Sequence, residues 1–186
     1  IMWLKRLITP RVQAAIARGK SILMLGPRQT GKTSLVKTLA HDLYITLMNP
    51  HTLQKYEANL TSFILEIKAQ QKLLNRKLIV IVDEIQKIPD FTDSIQVLID
   101  EGIAQFIITG SSARKIKNLL PGRVIKYNLA PLSLQELNGE SLNLESLLVN
   151  GSLPEIYNTK SQDDINELLD SYVNLLLEPL VSILAN

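Results

Sequence analysis

The chain has 186 residues, of which 46% are hydrophobic, with no cysteine and 20 basic against 18 acidic side chains. That length buries a core without disulfide or thiolate-metal staples, and a net charge of +2 is too small to argue for nucleic acid or an anionic surface. The longest apolar runs, LIVIV and LVSILA, fall far short of the ~20 residues of a membrane helix, so a cytoplasmic protein with no membrane contact is expected.

Ile1 ahead of Met2 reads as a remnant without functional information, and the opening IMWLKRLITPR lacks a signal-like core. Thr9 and Pro10 read as an N-cap and a first-turn proline, starting a helix to about Arg18 that Gly19 stops. SILML (21–25) is a short apolar run of the kind buried on both faces of a parallel sheet. A helix from Lys32 to about His41 follows, then a strand YITLM (44–48) ended by Asn49 and Pro50. Leu60, Phe63, Ile64, Ile67 and Leu74 mark the apolar face of a helix over 59–74, with Lys68, Gln70, Gln71 and Lys72 opposite. KLIVIVDEIQ is the strongest strand signal and ends in two carboxylates. A helix over 93–101 and the strands in QFIITGSS and RVIKYNLA complete an alternating pattern, which argues an open parallel α/β sheet with ligands at the carboxyl ends of its strands. Beyond Pro131 only helices are expected, at 133–137, 142–149 and 161–178, the last opening on the capping-box-like SQDD. The expected division is a core over 1–132 and a helical extension over 133–186. His41 and His51 lack ligand spacing and read as ordinary loop or helix residues.

The chemistry concentrates in GPRQTGKTS, comprising Gly26, Pro27, Arg28, Gln29, Thr30, Gly31, Lys32, Thr33 and Ser34. This GxxxxGK(S/T) spacing between a strand and a helix makes a nest of backbone N–H groups at a positive helix end, which cradles polyphosphate. Lys32 would neutralise the β and γ oxygens and the Thr33 hydroxyl would ligate Mg²⁺. Asp83, at the end of a neighbouring apolar strand, is the expected carboxylate partner of the metal, and Glu84 the base that polarises an attacking water. Thr109, at the end of IITGSS, would stand beside the carboxylates to orient that water or sense the γ-phosphate. The alternative for Thr109 to Ser112 is a turn and an N-cap. Arg123, after a Pro-Gly turn, could serve a neighbouring subunit's nucleotide as an arginine finger or be a plain surface residue, and Arg28 either touches phosphate or pairs with a carboxylate.

The segments LGPRQTGKTSLVKTL, IVDEIQKIPDF, IITGSS, LLPGRV, LAPLSLQEL and NGSLPEIY, in this order, resemble a family of bacterial and archaeal AAA-type ATPases whose members carry a further C-terminal domain of unknown function. The resemblance covers nearly the whole chain. It implies a P-loop NTPase fold of the additional-strand type, about five parallel strands in the order 5-1-4-3-2 between helices. It implies ATP and Mg²⁺ as cofactors, Asp83 and Glu84 as the Walker B pair, a sensor position at Thr109 and the family's GR motif at Arg123. Gly151 and Ser152 stand where relatives have a small-residue pair before LPE, a mild departure. Relatives would continue past the apolar YVNLLLEPLVSILAN, so a fragment or shortened member is expected, its tail a docking face for the missing half or for another subunit of a homo-oligomer. The function expected is Mg-dependent ATP hydrolysis coupled to a conformational switch. The alternative is a nucleotide-binding interaction module that turns over negligibly until a partner completes it. A small-molecule phosphotransferase lacks a candidate lid, a GTPase lacks an NKxD motif, and nucleic acid as a partner has no basic-aromatic cluster to support it.

Overall fold

A computed structural model of the chain describes residues 4–111, 113, 116, 119–137 and 144–184, with side chains through residue 174. The chain divides into two compact units, Arg6–Ala130 and Ile1–Lys5 with Pro131–Asn186.

The first unit is built on five strands: β1 (Ser21–Leu25), β2 (Leu43–Thr46), β3 (Leu78–Asp83), β4 (Ala104–Gly110) and β5 (Val124–Asn128). They form one sheet in the order β2-β3-β4-β1-β5, all parallel, which is the expected order read from the other edge. Parallel strands need crossovers, and the helices that supply them cover both faces. Alternation sorts the strand residues. Leu23, Val80, Val82, Phe106 and Ile108 face one core with Phe63, Ile67, Phe91 and Ile95. Ile22, Met24, Ile81 and Ile107 face the other with Val12, Ala15, Leu35 and Val36.

The helices are α1 (Thr9–Ala17), α2 (Lys32–Lys37), α3 (Pro50–Ala58), α4 (Leu60–Leu74) and α5 (Phe91–Asp100), with a 3-10 turn at Ile85–Lys87. Helix α1 starts one residue earlier than the Thr9 cap implied, with Ile8 at the N-cap. Helix α2 is shorter than expected, because Thr38 turns its hydroxyl back to the Leu35 carbonyl at 2.7 Å and the last turn tightens. Helix α3 was not expected. Asn49 and Pro50 read as a strand stop, yet the Asn49 side chain accepts from the His51 and Thr52 N–H groups and Pro50 opens the helix, so the same pair ends β2 and caps α3. In α4, Phe63 and Ile67 are buried as the periodicity requires, but Leu74 is 47% exposed, and Lys68 pairs with Glu101 at 2.6 Å.

The second unit carries α6 (Leu144–Asn150), α7 (Pro154–Asn158) and α8 (Gln162–Leu184). Leu153, Ile156 and Ile165 form its small core with Leu168, Leu169 and Tyr172 packed against it. The helix expected at 133–137 is a single turn, in which Glu136 accepts from the Ser133 N–H at 2.9 Å. The short α7 was not expected. Helix α8 runs beyond the expected end at Glu178, and Ser161 caps it, accepting from the Asp164 N–H at 3.4 Å. The expected helix start at Leu142, the turn at Ser112 and the apolar side chains from Leu175 to Asn186 lie outside the described residues. Among the described residues no helix is long and apolar enough to cross a membrane.

Candidate functional site

The sequence-selected loop leaves β1 at its carboxyl end and enters α2. Gly26 has φ 155° and Gly31 φ 87°, conformations that favour glycine. Gly26 has a second constraint, because a Cβ there would lie 2.2 Å from the Leu129 carbonyl oxygen. Pro27, Arg28 and Gln29 form the exposed tip, Thr30 is fully buried, and Ser34 is exposed one turn into the helix. Lys32 is 4% exposed and folds back over the loop, donating to the Gly26 and Pro27 carbonyls at 2.8 and 2.6 Å. Thr30 donates its hydroxyl to the same Pro27 carbonyl at 3.0 Å. Burial holds the Lys32 ammonium below the ordinary lysine pKa, with Glu84 and Asp83 opposing the shift and Arg28 adding to it.

Asp83 ends β3 beside this loop, 2% exposed. Thr33 donates its hydroxyl to the two carboxylate oxygens at 2.9 and 3.0 Å, Thr109 donates to Oδ1 at 2.6 Å and Tyr44 donates to Oδ2 at 3.0 Å. The sheet order explains the gathering. Asp83 is in register with Thr46 of β2, so Tyr44, two residues earlier, shares its face, while β4 brings Thr109 from the other side. Burial and the neighbouring Asp83 charge push the Tyr44 phenol up to about 12, so it stays a donor at neutral pH. Hydroxyl and carboxylate oxygens suit a hard divalent cation such as Mg²⁺ that shares the oxygens of a bound phosphate. Among the described residues no three His, Cys, Asp or Glu side chains gather into a free-standing metal cage.

Glu84 turns away from Asp83 because its backbone is left-handed, φ 61° and ψ 50°, a conformation that non-glycine residues rarely hold without a reason in the site. Its N–H donates to the Thr109 hydroxyl at 3.0 Å, so Thr109 fixes the backbone of one carboxylate residue and the side chain of the other. Gln86 donates its amide to the Glu84 carboxylate and to the Ser111 hydroxyl, and accepts from the Ser111 N–H. Tyr44 and Gln86 were not selected from sequence. Tyr44 had a usable signal, since the expected order places its strand beside β3, whereas Gln86 had none.

Arg123 is not at this site. Its guanidinium donates to Asp100 at 2.7 and 2.8 Å. Val124, the next residue, pairs in register with Ser21, while Asn128 pairs with Leu25 where the loop begins. Arg123 therefore sits at the opposite, amino-terminal end of the strands, with about 13 Å of strand at 3.3 Å per residue between those register positions.

Three comparisons bear on this geometry. Uncharacterized protein Rv2008c of Mycobacterium tuberculosis and uncharacterized protein Mb2031c of Mycobacterium bovis are each 28% identical over 177 residues, covering 90% of this chain and 37% of their own length. The chain thus spans little more than a third of the curated relatives it matches. The structure of C. elegans PCH-2 superposes with a TM-score of 0.53 at 17% identity, over 68% of this chain and 44% of that one, a likeness of fold alone. The model of the AAA domain family, AAA_14, matches residues 18–138, a span that holds the loop, both carboxylates and all five strands. The phosphate loop with its carboxylate strand two places across the parallel sheet is that family's nucleotide-binding fold, and the chain belongs to the AAA domain family.

Proposed function

We propose that the chain binds Mg·ATP at Gly26–Ser34 and hydrolyses it, the cycle switching the conformation of the protein. The observation that carries this reading is the buried Asp83 carboxylate held against the Thr33 hydroxyl, 2.9 Å away, at the mouth of the phosphate loop. When bound, the cation screens the β and γ oxygens and polarises the γ-phosphoryl group. Lys32 exchanges the Gly26 and Pro27 carbonyls for those oxygens, and Thr33 and Asp83 hold the metal side. Tyr44 and Thr109 keep the Asp83 carboxylate oriented, and Glu84, once released by Gln86, accepts a proton from the attacking water.

The position of Arg123 supports a second reading, the interaction module with negligible turnover as a monomer. An arginine at the amino-terminal end of the strands, away from the loop, serves a nucleotide only across a subunit boundary. Phosphate release from Mg·ATP, measured over a range of protein concentrations, separates the two. Lys32→Ala is expected to abolish release and binding together. A rate per chain that rises with concentration and is lost in Arg123→Ala supports the trans role, whereas Lys32-dependent binding with no release at any concentration supports the module.

The lowered pKa of Lys32 gives a pH signature. Lys32 binds phosphate as the ammonium, and a bound polyanion raises its pKa, so affinity is complete below the free-state pKa and is lost as pH rises through it. Because burial depresses that free-state value, the loss begins at a lower pH than an ordinary lysine would give. ATP titrations from neutrality to about pH 10 should show this decline, and a flat profile would remove Lys32 from the contact.

A further inference from the structure

Arg6 precedes α1 and lies outside the residues matched by the family model, yet its side chain reaches the phosphate loop. It is 7% exposed and donates from one guanidinium nitrogen to the Thr30 carbonyl at 2.6 Å and from the other to the Ala130 carbonyl at 2.7 Å. Removing a guanidinium from water is costly unless its donors find acceptors, and here they join the middle of the loop to Ala130, two residues past the end of β5. Gly26 backs onto the neighbouring Leu129. Both limbs of the loop are therefore braced by the same two-residue stretch, one by direct approach and one through Arg6.

We propose that Arg6 is a positioning residue for polyphosphate, bracing the Thr30–Gly31 peptide so that the loop is formed before the ligand arrives. This rests on the nucleotide reading of Gly26–Ser34. The peptide is planar, and no bond among the described residues is cis, so the Gly31 N–H points away from the guanidinium that binds the Thr30 oxygen. A charged donor on the carbonyl polarises the peptide and strengthens that N–H as a phosphate donor. The buried positive charge also lies behind a loop whose ligand is anionic. Lysine would keep the charge but, as a point donor on a flexible stem, could not bridge both carbonyls as a fork.

The test is calorimetric titration of Mg·tripolyphosphate and of Mg·ATP into the unaltered chain, Arg6→Ala and Arg6→Lys, with thermal unfolding measured on each. The tripolyphosphate probe needs only the phosphate loop. Arg6→Ala is expected to weaken both ligands at least about tenfold, the loss of a charge-assisted bond, and Arg6→Lys to recover part of that. Should Arg6→Ala fail to fold, Arg6→Lys decides alone, with a fold intact and both affinities reduced. Folded variants that bind both ligands as the unaltered chain does, with only the unfolding temperature lowered, would overturn the inference and leave Arg6 a structural brace. No binding by the unaltered chain would overturn the nucleotide reading and this inference with it.

Discussion

Glu84→Gln is expected to lower ATP turnover by about 10²- to 10⁴-fold, the span of general-base catalysis, which is about 2.7–5.4 kcal/mol of barrier, while leaving ATP affinity within a few-fold of the unaltered chain. The separation of the two effects follows from position. Glu84 is held by Gln86 and by its own left-handed backbone, and it makes no hydrogen bond to the loop or to Thr33, which Asp83 and Lys32 do. Glutamine keeps the shape and can turn its carbonyl to the Gln86 amide, so the fold should be undisturbed. It cannot take a proton. Single-turnover phosphate release beside equilibrium ATP binding checks the split. Turnover retained within about tenfold would move the base role elsewhere, and joint loss of binding would mean that Glu84 shapes the loop.

Phe63→Ala should be the most damaging truncation on the α3–α5 face, costing about 3–5 kcal/mol, a large share of the ~5–15 kcal/mol that holds a typical native domain together. Phe63 is fully buried, its ring 4.4 Å from Phe91, 5.6 Å from Tyr56 and 6.3 Å from Phe106. Those rings come from α5, α3 and β4, so one side chain ties three elements to α4. Small residues cannot fill the hole because the surrounding rings are themselves wedged, Tyr56 by its hydroxyl bond to Glu66 at 2.7 Å. Urea unfolding should show a lower midpoint at unchanged slope. A loss below about 1 kcal/mol would mean that the face collapses around the gap, a better adaptation than such cavities usually allow.

The phosphate loop and the two carboxylates were legible in the sequence because their chemistry forces local signatures. Glycine is favoured at position 26, where φ is positive and Leu129 comes close, and an otherwise apolar strand that ends in a carboxylate stands out. The sheet order was legible through the resemblance, not through periodicity, which cannot say which strands are neighbours. Helix α3 was missed because Asn-Pro carries the same meaning at a strand end and at a helix start. Gln86 and Arg6 were invisible for a different reason. Their partners Ser111, Thr30 and Ala130 are brought near only by the completed sheet or by a long reach across the chain.

The close approach of Gly26 to Leu129 sets how this protein can vary over evolutionary time. The exposed positions Pro27 and Arg28 can be exchanged freely as far as packing is concerned, and the tip of the loop is where relatives can drift apart. Position 26 admits no side chain unless the backbone following β5 withdraws, since the clash falls on a carbonyl rather than on a flexible group. A substitution there and a displacement of residues 129–130 would have to arise together. The segment that leaves the sheet unit is thereby tied to the identity of a residue more than a hundred positions earlier, and the two should be inherited as a pair.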